Sequence, residues 1–123
     1  MIRQYFEQLK EVLDKIDRQQ INDLINELYA LRERNGKLFV LGIGGSAANA
    51  SHAVNDFRKL CGIEAYCPTD NVAELTARIN DDGWDSFFIN WFGGGGLHKN
   101  DAVLILSVGG GNKEKNISSN LVR

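Results

Sequence analysis

Apolar residues recur at helical spacing along the first third of the chain. One set, spaced mostly by three and four positions, marks one face of an amphipathic helix: Ile2, Phe6, Leu9, Val12, Leu13 and Ile16. A second set predicts another helix after an N-cap at Asp17, with Gln20 reaching back: Ile21, Leu24, Ile25, Leu28 and Leu31. Asn35-Gly36 is expected to end this helix, because glycine readily adopts the left-handed conformation that follows a helix. We therefore predict a helical hairpin over residues 1–35.

From residue 37 the pattern changes to short, continuous apolar runs that alternate with helical segments. The continuous runs Lys37–Leu41 and Ala102–Val108 suit parallel strands covered on both faces, and Ile63–Cys67 is expected to be a short strand between them in sequence. Helices are expected at Ala47–Leu60, from Pro68 to about Ile79, at Trp84–Phe92 and from Asn116 onward. Gly93–Gly96 is either a flexible loop or an engineered linker. The alternation predicts an α/β domain with a parallel sheet of strand order 2-1-3 over residues 36–123.

Two features of this α/β domain are unusual. Three parallel strands make a small sheet, and the sequence ends at Arg123 inside the last expected helix. We therefore expect the domain to be truncated at its C-terminus or completed by another copy. The third strand would otherwise be an open edge, and an open edge invites pairing. Together with the apolar hairpin, this predicts a homo-oligomer, a dimer or a tetramer, with residues 1–34 at its centre.

Composition and charge argue against several classes of protein. The chain has 123 residues, 24% of them charged, and a formal net charge of −2, so nothing favours binding to nucleic acid or to an acidic membrane surface. The N-terminal segment carries charges throughout, unlike a signal peptide, and no apolar run approaches the roughly 20 residues of a membrane span. Cys61 and Cys67 lack CxxC spacing and are expected to be reduced thiols in a cytoplasmic protein.

The stretch LGIGGSAANASH, Leu41–His52, carries the strongest chemical signal. Glycines between a strand and a helix let the backbone approach an anion, which the helix N-terminus and the Ser46 hydroxyl can bind. A second glycine turn, Ser107–Asn112, follows the third strand and lies beside the first turn in the 2-1-3 order. The first turn is a plain turn, a sugar-phosphate site, or a dinucleotide fingerprint of G-x-G-x-x-A form with Glu64 as the ribose ligand. A P-loop is excluded because the chain has no G-K-[ST].

The stretch GIGGSAANASHAVNDF resembles the first loop and helix of the SIS (sugar isomerase) family, especially its phosphoheptose isomerase branch. In that branch the loop is G-N-G-G-S, with a histidine six residues after the serine and a glutamate four residues after the histidine. Ser46 and His52 match this pattern. Asp56 stands in place of the glutamate, and Ile43 in place of the asparagine.

Two further stretches extend the resemblance over the whole chain. NDDGWDSFF resembles a family segment N-D-x-G-x-x-x-x-F, which begins here at Asn80, and Asp81 falls on its active-site aspartate. LSVGGGN resembles the second phosphate loop: Ser107 and Gly110 match, while glycine and asparagine replace two hydroxyl residues. The helical hairpin before the first strand is also typical of this branch.

The resemblance implies a SIS-type, flavodoxin-like α/β fold and the isomerisation of sedoheptulose 7-phosphate, an aldose–ketose conversion through an enediol. Asp56 would be the base, one carbon shorter than glutamate. His52, one helical turn away, either shares a divalent metal such as zinc with Asp56 or is a hydrogen-bonded structural histidine. The implied substrate-binding residues are Gly44, Gly45, Ser46, Asn80, Asp81, Ser107, Gly109, Gly110, Gly111 and Asn112.

The resemblance leaves the activity of this chain open. The family's later glutamine and histidine, on a C-terminal helix, have no counterpart within the 123 residues. The chain is therefore expected to be a sugar-phosphate-binding SIS protein of phosphoheptose isomerase type, with catalysis by these residues in doubt. The alternative is a non-enzymatic SIS protein, either a sugar-phosphate sensor or a protein-binding adaptor.

Overall fold

The computed structural model describes residues 1–121, which form two compact units, residues 1–30 and residues from 31 onward. The first unit contains helix α1, Ile2–Lys15, and most of helix α2, Arg18–Glu33. The predicted cap of α2 is present, since the Asp17 carboxylate accepts the backbone N–H of Gln19 at 2.9 Å. Residues 1–35 as a separate oligomerisation domain stay a prediction. No helix within residues 1–121 has both the length and the apolar character needed to cross a bilayer.

The second unit is built on a parallel sheet with the predicted order. Strands β1, Leu38–Gly42, β2, Ala65–Tyr66, and β3, Ala102–Leu106, are arranged β2-β1-β3. All of β1 is buried, and Leu38 pairs with Ala65 on one side and Ala102 on the other. The predicted α/β architecture is therefore confirmed, and the carboxyl end of β1 pairs with the end of β3, Gly42 with Leu106.

The outer strands are shorter than predicted, and the third strand is less buried than its continuous apolar run indicated. β2 is confined to two residues, and β3 ends at Leu106, two residues before the predicted end. Val103 and Ile105 are 40% and 48% exposed. Within the described residues β3 is an edge of the sheet with one face uncovered, so its apolar run does not report burial on both sides.

Three helices of the second unit surround the sheet. Helix α3 is Gly45–Leu60, α4 is Val72–Asp82 and α5 is Phe87–Gly93, with short 3-10 turns at Pro68–Asp70, Trp84–Ser86 and Ser119–Leu121. α3 packs against β1 and starts two residues before the predicted start, because Gly44 is its N-cap. Gly94–Gly96 form a turn at the end of α5, with the N–H groups of Gly95 and Gly96 bonded to Phe92. A core of Leu41, Phe87 and Phe88 joins β1 to α5.

Helix α4 corrects two predicted boundaries. The helix expected from Pro68 starts at Val72, because Asn71 is its N-cap and accepts the N–H of Glu74 at 3.2 Å. It also continues to Asp82, so Asn80 and Asp81 lie in its last turn rather than in a loop. Gly83, with φ of 85°, ends the helix in a conformation that glycine adopts readily.

The prediction of a helix from Asn116 onward is wrong for the described residues 116–121. Asn112 and Ile117 instead form an antiparallel bridge, followed by the 3-10 turn Ser119–Leu121. Asn116 and Ser118 have φ of 53° and 47°. Successive right-handed helical turns cannot be built through such left-handed residues, so the segment folds back on itself.

The end of α2 also differs in detail from the prediction. Asn35, not Gly36, adopts the left-handed conformation, with φ of 52°. Gly36 is required for a different reason, because a Cβ there would overlap the carbonyl oxygen of Asn100 and the side chain of Leu31. The close packing of this turn against Asn100 brings the starts of β1 and β3 together.

Asp101 stabilises the end of the sheet at which β1 and β3 begin. Its carboxylate accepts the backbone N–H of Lys37 at 2.8 Å and that of His98 at 2.8 Å. Burial by itself would raise the pKa of Asp101, but these two N–H donors, with the charges of His98 and Lys37, hold the pKa below its usual value.

We predict that Asp101→Asn destabilises the fold by about 1–3 kcal/mol at pH 7, because its amide NH2 meets one of the two N–H donors. A carboxyl whose folded pKa is lowered stabilises the fold above its unfolded pKa of about 3.9, and this stabilisation is lost as the pH falls through the folded pKa. Urea unfolding should therefore show a loss at pH 7 that shrinks by pH 3. Asp14→Asn, at an exposed position on α1, is the control. An equal loss at both pH values would contradict this account.

Candidate functional site

The first glycine loop connects the carboxyl end of β1 to the N-terminus of α3. Gly44 has φ of 60° and ψ of −123°, a conformation that side chains oppose. A Cβ on Gly42 would overlap the backbone of Ser46, so β1 and α3 approach each other too closely for any other residue. A Cβ on Gly44 or Gly45 would meet nothing within 4 Å. The loop is therefore tight on its inner side and open on its outer side.

The second glycine loop follows β3 and is held by its own serine. The Ser107 hydroxyl accepts the N–H of Gly110 at 3.0 Å, and Gly110 and Gly111 have φ of 68° and 79°. Asn112 closes the loop, since its side chain accepts the N–H of Lys115 at 2.8 Å and its backbone bonds to Ile117. The Asn112 side chain is thus engaged in the turn.

The two loops enclose a cavity of about 190 Å³, which we call the glycine cleft. Its walls include Ile43 and Ser46 from the first loop and Ser107, Gly109 and Gly111 from the second. The sequence predicted this neighbourhood from the strand order. Among the described residues that line the cleft none is charged, so an anion there would be bound by N–H groups, hydroxyls and the N-terminal dipole of α3.

Ser118 also lines the glycine cleft, although no pattern in the sequence predicted it there. It follows the bridge between Asn112 and Ile117, which returns the chain to the second loop. The helix predicted from Asn116 onward would have directed the chain away from the second loop, so the contact of Ser118 with the cleft was not expected. The hydroxyl of Ser118 within NISSN was the only signal of a binding residue in this segment. Without the fold, Ser118 could not be distinguished from a residue that caps a helix.

His52 and Asp56 lie together on α3 but outside the glycine cleft. His52 Nε2 is 3.4 Å from Asp56 Oδ2, and the two side chains are 79% and 46% exposed. Asn55 Nδ2 also donates to Asp56 Oδ1, at 3.3 Å. The predicted pairing of the two residues is present, but neither lines the cleft that contains Ser46.

The predicted metal site has only this pair. No cluster of three or more histidine, cysteine, aspartate or glutamate side chains suited to a metal occurs within residues 1–121. A zinc site uses three or four protein ligands, so His52 and Asp56 do not by themselves form one. Zinc binding stays a prediction, and no chemical step is assigned to it.

Asn80 and Asp81 are also separate from the glycine cleft. Both are exposed in the last turn of α4, where Asn80 Nδ2 donates to Asp81 Oδ1 at 2.9 Å. The segment after them is closer to the first loop. Trp84 lines a second cavity together with Gly42, Ile43 and Gly44.

Comparison with known proteins identifies the family. The SIS domain family matches residues 4–116. The chain belongs to the SIS domain family. The solved structure of phosphoheptose isomerase GmhA from Neisseria gonorrhoeae superposes with a TM-score of 0.79 at 23% identity, over 98% of this chain and 64% of that one. This likeness confirms the SIS-type fold.

Curated relatives of the SIS chain carry one activity in their names. A phosphoheptose isomerase of Syntrophotalea carbinolica is 31% identical over 97 residues, 71% of this chain and 48% of that protein. A phosphoheptose isomerase of Helicobacter pylori is 30% identical over 118 residues, 90% of this chain and 58% of that protein. The chain thus spans about half the length of the curated relatives it matches.

We predict that inorganic phosphate or sulfate binds the glycine cleft of this SIS domain and raises its melting temperature, since a ligand stabilises the state it binds. Ser46→Ala removes a hydroxyl from the cleft, and Ser107→Ala removes the bond that orders the second loop. Each should raise the phosphate Kd about tenfold. Ser107→Thr keeps the hydroxyl and should bind like wild type. A thermal shift that is the same in all four proteins would argue against the site.

Proposed function

We propose that this SIS protein is a phosphoheptose isomerase that binds the phosphate of sedoheptulose 7-phosphate in the glycine cleft. The observation that carries the proposal is the convergence of Ser46 and Ser107, from two strand ends, on one anion-ready cavity. The relatives named above support the choice of sugar. The N-terminus of α3 would complement the charge of the phosphate without a basic side chain.

The isomerisation needs a base beside the reacting carbons and an acid at the carbonyl oxygen. We propose Asp56 as the base, with His52 holding its carboxylate from 3.4 Å away. A ring N–H of His52 would orient the carboxylate toward a substrate carbon. The proton removed from one carbon would return to its neighbour through the enediol, so no external reactant is consumed.

The positions of Ser46 and Asp56 on α3 favour catalysis between copies of the chain. Ten residues separate them, about 15 Å along the helix axis at 1.5 Å per residue. The Asp56 side chain is also half exposed and outside the glycine cleft. We therefore propose that a second copy brings its His52 and Asp56 to the sugar portion of the substrate whose phosphate lies in this cleft.

The first unit offers an apolar surface for such assembly. On α1, the residues that share the apolar face are exposed: Ile2, Phe6, Leu9, Val12 and Leu13. The polar residues of α1 lie on the other side of the helix. We propose that this face packs against the same face of another copy, giving a dimer or a tetramer.

The state of the cysteines supports a cytoplasmic location. Cys61 is exposed and Cys67 is buried, and both are free thiols. Disulfides are rare in the cytoplasm, where thiols are kept reduced. We propose this location for the protein on that ground.

We predict that the chain exchanges deuterium from D2O into sedoheptulose 7-phosphate, and that Asp56→Asn lowers the exchange rate by about 10²–10⁴-fold. Asp56→Glu, which restores the reach of the family's carboxylate, should raise the rate. Asp82→Asn, at the end of α4, is the matched control and should change nothing. Exchange that survives Asp56→Asn would contradict the base assignment. Ligand binding with no exchange in any variant would favour the non-enzymatic SIS sensor or adaptor.

We predict a light-scattering mass of two or four chains at micromolar concentration. Leu9→Glu places a charge on the apolar face and should shift the mass toward one chain, because burying an unpaired carboxylate is costly. Gln4→Glu adds the same charge to the polar side of α1 and should leave the mass unchanged. A one-chain mass for the wild-type protein would overturn the proposed assembly.

A further inference from the structure

A second cavity, which we call the tryptophan cleft, lies beside the first glycine loop. It has a volume of about 370 Å³, and its lining includes Gly42 and Gly44 from the loop and Trp84. Ile43 lines both cavities. The two clefts therefore share Ile43 as a lining residue and lie next to each other at the carboxyl end of β1.

The lining of the tryptophan cleft combines one aromatic ring with a few polar groups. Trp84 is 38% exposed, so part of its ring is open to a ligand. Ser51, Thr69 and Asp70 add two hydroxyls and a carboxylate, while Ala47, Ala48 and Leu75 make the remaining wall apolar. Sites of this kind, mostly apolar with a few polar groups, fix the orientation of small molecules.

The polar groups of this cleft are held in place by the backbone. The N–H of Asp70 donates to the carbonyl of Cys67 at 3.0 Å, and the Thr69 hydroxyl lies 3.2 Å from the Cys67 sulfur. Burial raises the pKa of Cys67, so its thiol stays protonated beside Thr69. The 3-10 turn Pro68–Asp70 therefore holds the Thr69 hydroxyl and the backbone of Asp70 beside the tryptophan cleft.

A part-buried hydrogen bond connects two residues that adjoin the clefts in the sequence. The Ser119 hydroxyl, in a residue only 3% exposed, donates to the carboxylate of Asp85. Asp85 adjoins Trp84 of the tryptophan cleft, and Ser119 adjoins Ser118 of the glycine cleft. This bond fixes the ring of the one cleft relative to the second glycine loop of the other.

We propose that the tryptophan cleft binds the hydroxylated carbon chain of a sugar phosphate whose phosphate lies in the glycine cleft. The C–H face of the chain packs on Trp84, and its hydroxyls bond to Asp70 and Thr69. A carboxylate accepts hydrogen bonds from two vicinal hydroxyls, and an aromatic ring gives apolar area at a small entropy cost. This inference rests on the proposed function, because it assigns the sugar portion of the same ligand.

The test separates the sugar from the phosphate. In a Trp91→Phe background Trp84 is the remaining tryptophan of the two in the chain. Trp91 packs edge-on to Phe39 and Phe92 and does not line the tryptophan cleft, so the change is conservative. Sedoheptulose 7-phosphate should shift the fluorescence of Trp84, whereas inorganic phosphate, which fills only the glycine cleft, should not.

Affinities give the second arm of the test. Trp84→Ala and Asp70→Asn should each raise the Kd of sedoheptulose 7-phosphate about tenfold and leave the Kd of inorganic phosphate within about twofold. Trp84→Phe keeps an aromatic face and should keep most of the affinity. Ser46→Ala should weaken both ligands. Melting temperatures show whether each variant is folded. If Trp84→Ala does not fold, the affinities of Asp70→Asn decide the test.

The outcomes distinguish the two proposals. If Ser46→Ala weakens both ligands while Trp84→Ala and Asp70→Asn weaken neither, the sugar subsite is overturned and the phosphate site stands. If Trp84→Ala weakens inorganic phosphate as much as the sugar phosphate, the ring acts on the fold and the subsite is also overturned. If neither ligand binds the wild-type chain, the proposed function fails and the subsite fails with it.

Discussion

The close approach of the Gly42 backbone to the Ser46 backbone is the constraint on which both clefts depend. A Cβ at Gly42 would overlap Ser46, so the end of β1 and the start of α3 can meet only through glycine. This approach fixes the dipole of α3 beside the sheet and turns Ser46 toward the second loop. It also places Ile43 in the lining of both cavities. The site is therefore backbone geometry first and side-chain chemistry second.

The sequence predicted those parts of the site that follow from local pattern and strand order. Apolar runs alternating with helices implied the order 2-1-3, and carboxyl ends of neighbouring parallel strands lie at the same edge of the sheet. Ser46 and Ser107 could be paired on that ground alone, and the structure places them in one cleft. The spacing of His52 and Asp56 likewise predicted their contact on one helix face.

The missed parts depend on contacts between segments distant in the sequence. Trp84, Thr69 and Gly44 meet in the tryptophan cleft, yet no periodicity links them. The predicted helix after Asn116 failed because apolar spacing does not show a left-handed residue inside an otherwise helical pattern. Whether His52 and Asp56 face a ligand or solvent was equally beyond the pattern. Helical spacing gives the neighbours of a side chain within its own helix, but not what covers it.

The described residues that line the glycine cleft carry no charge. In the proposed scheme the phosphate and the sugar are therefore recognised in different cavities. Neutral N–H groups and hydroxyls bind any tetrahedral anion of the right size, so under the proposed function the glycine cleft would select for a phosphate but not for one sugar. A basic side chain would add affinity without adding selectivity among sugar phosphates. Selectivity must then come from groups that meet the carbon chain. Near the first loop, Trp84 offers an aromatic ring and Asp70 a carboxylate, two groups that the phosphate site lacks among its described lining residues. In this scheme the glycine cleft anchors the ligand, and the tryptophan cleft determines which ligand is retained.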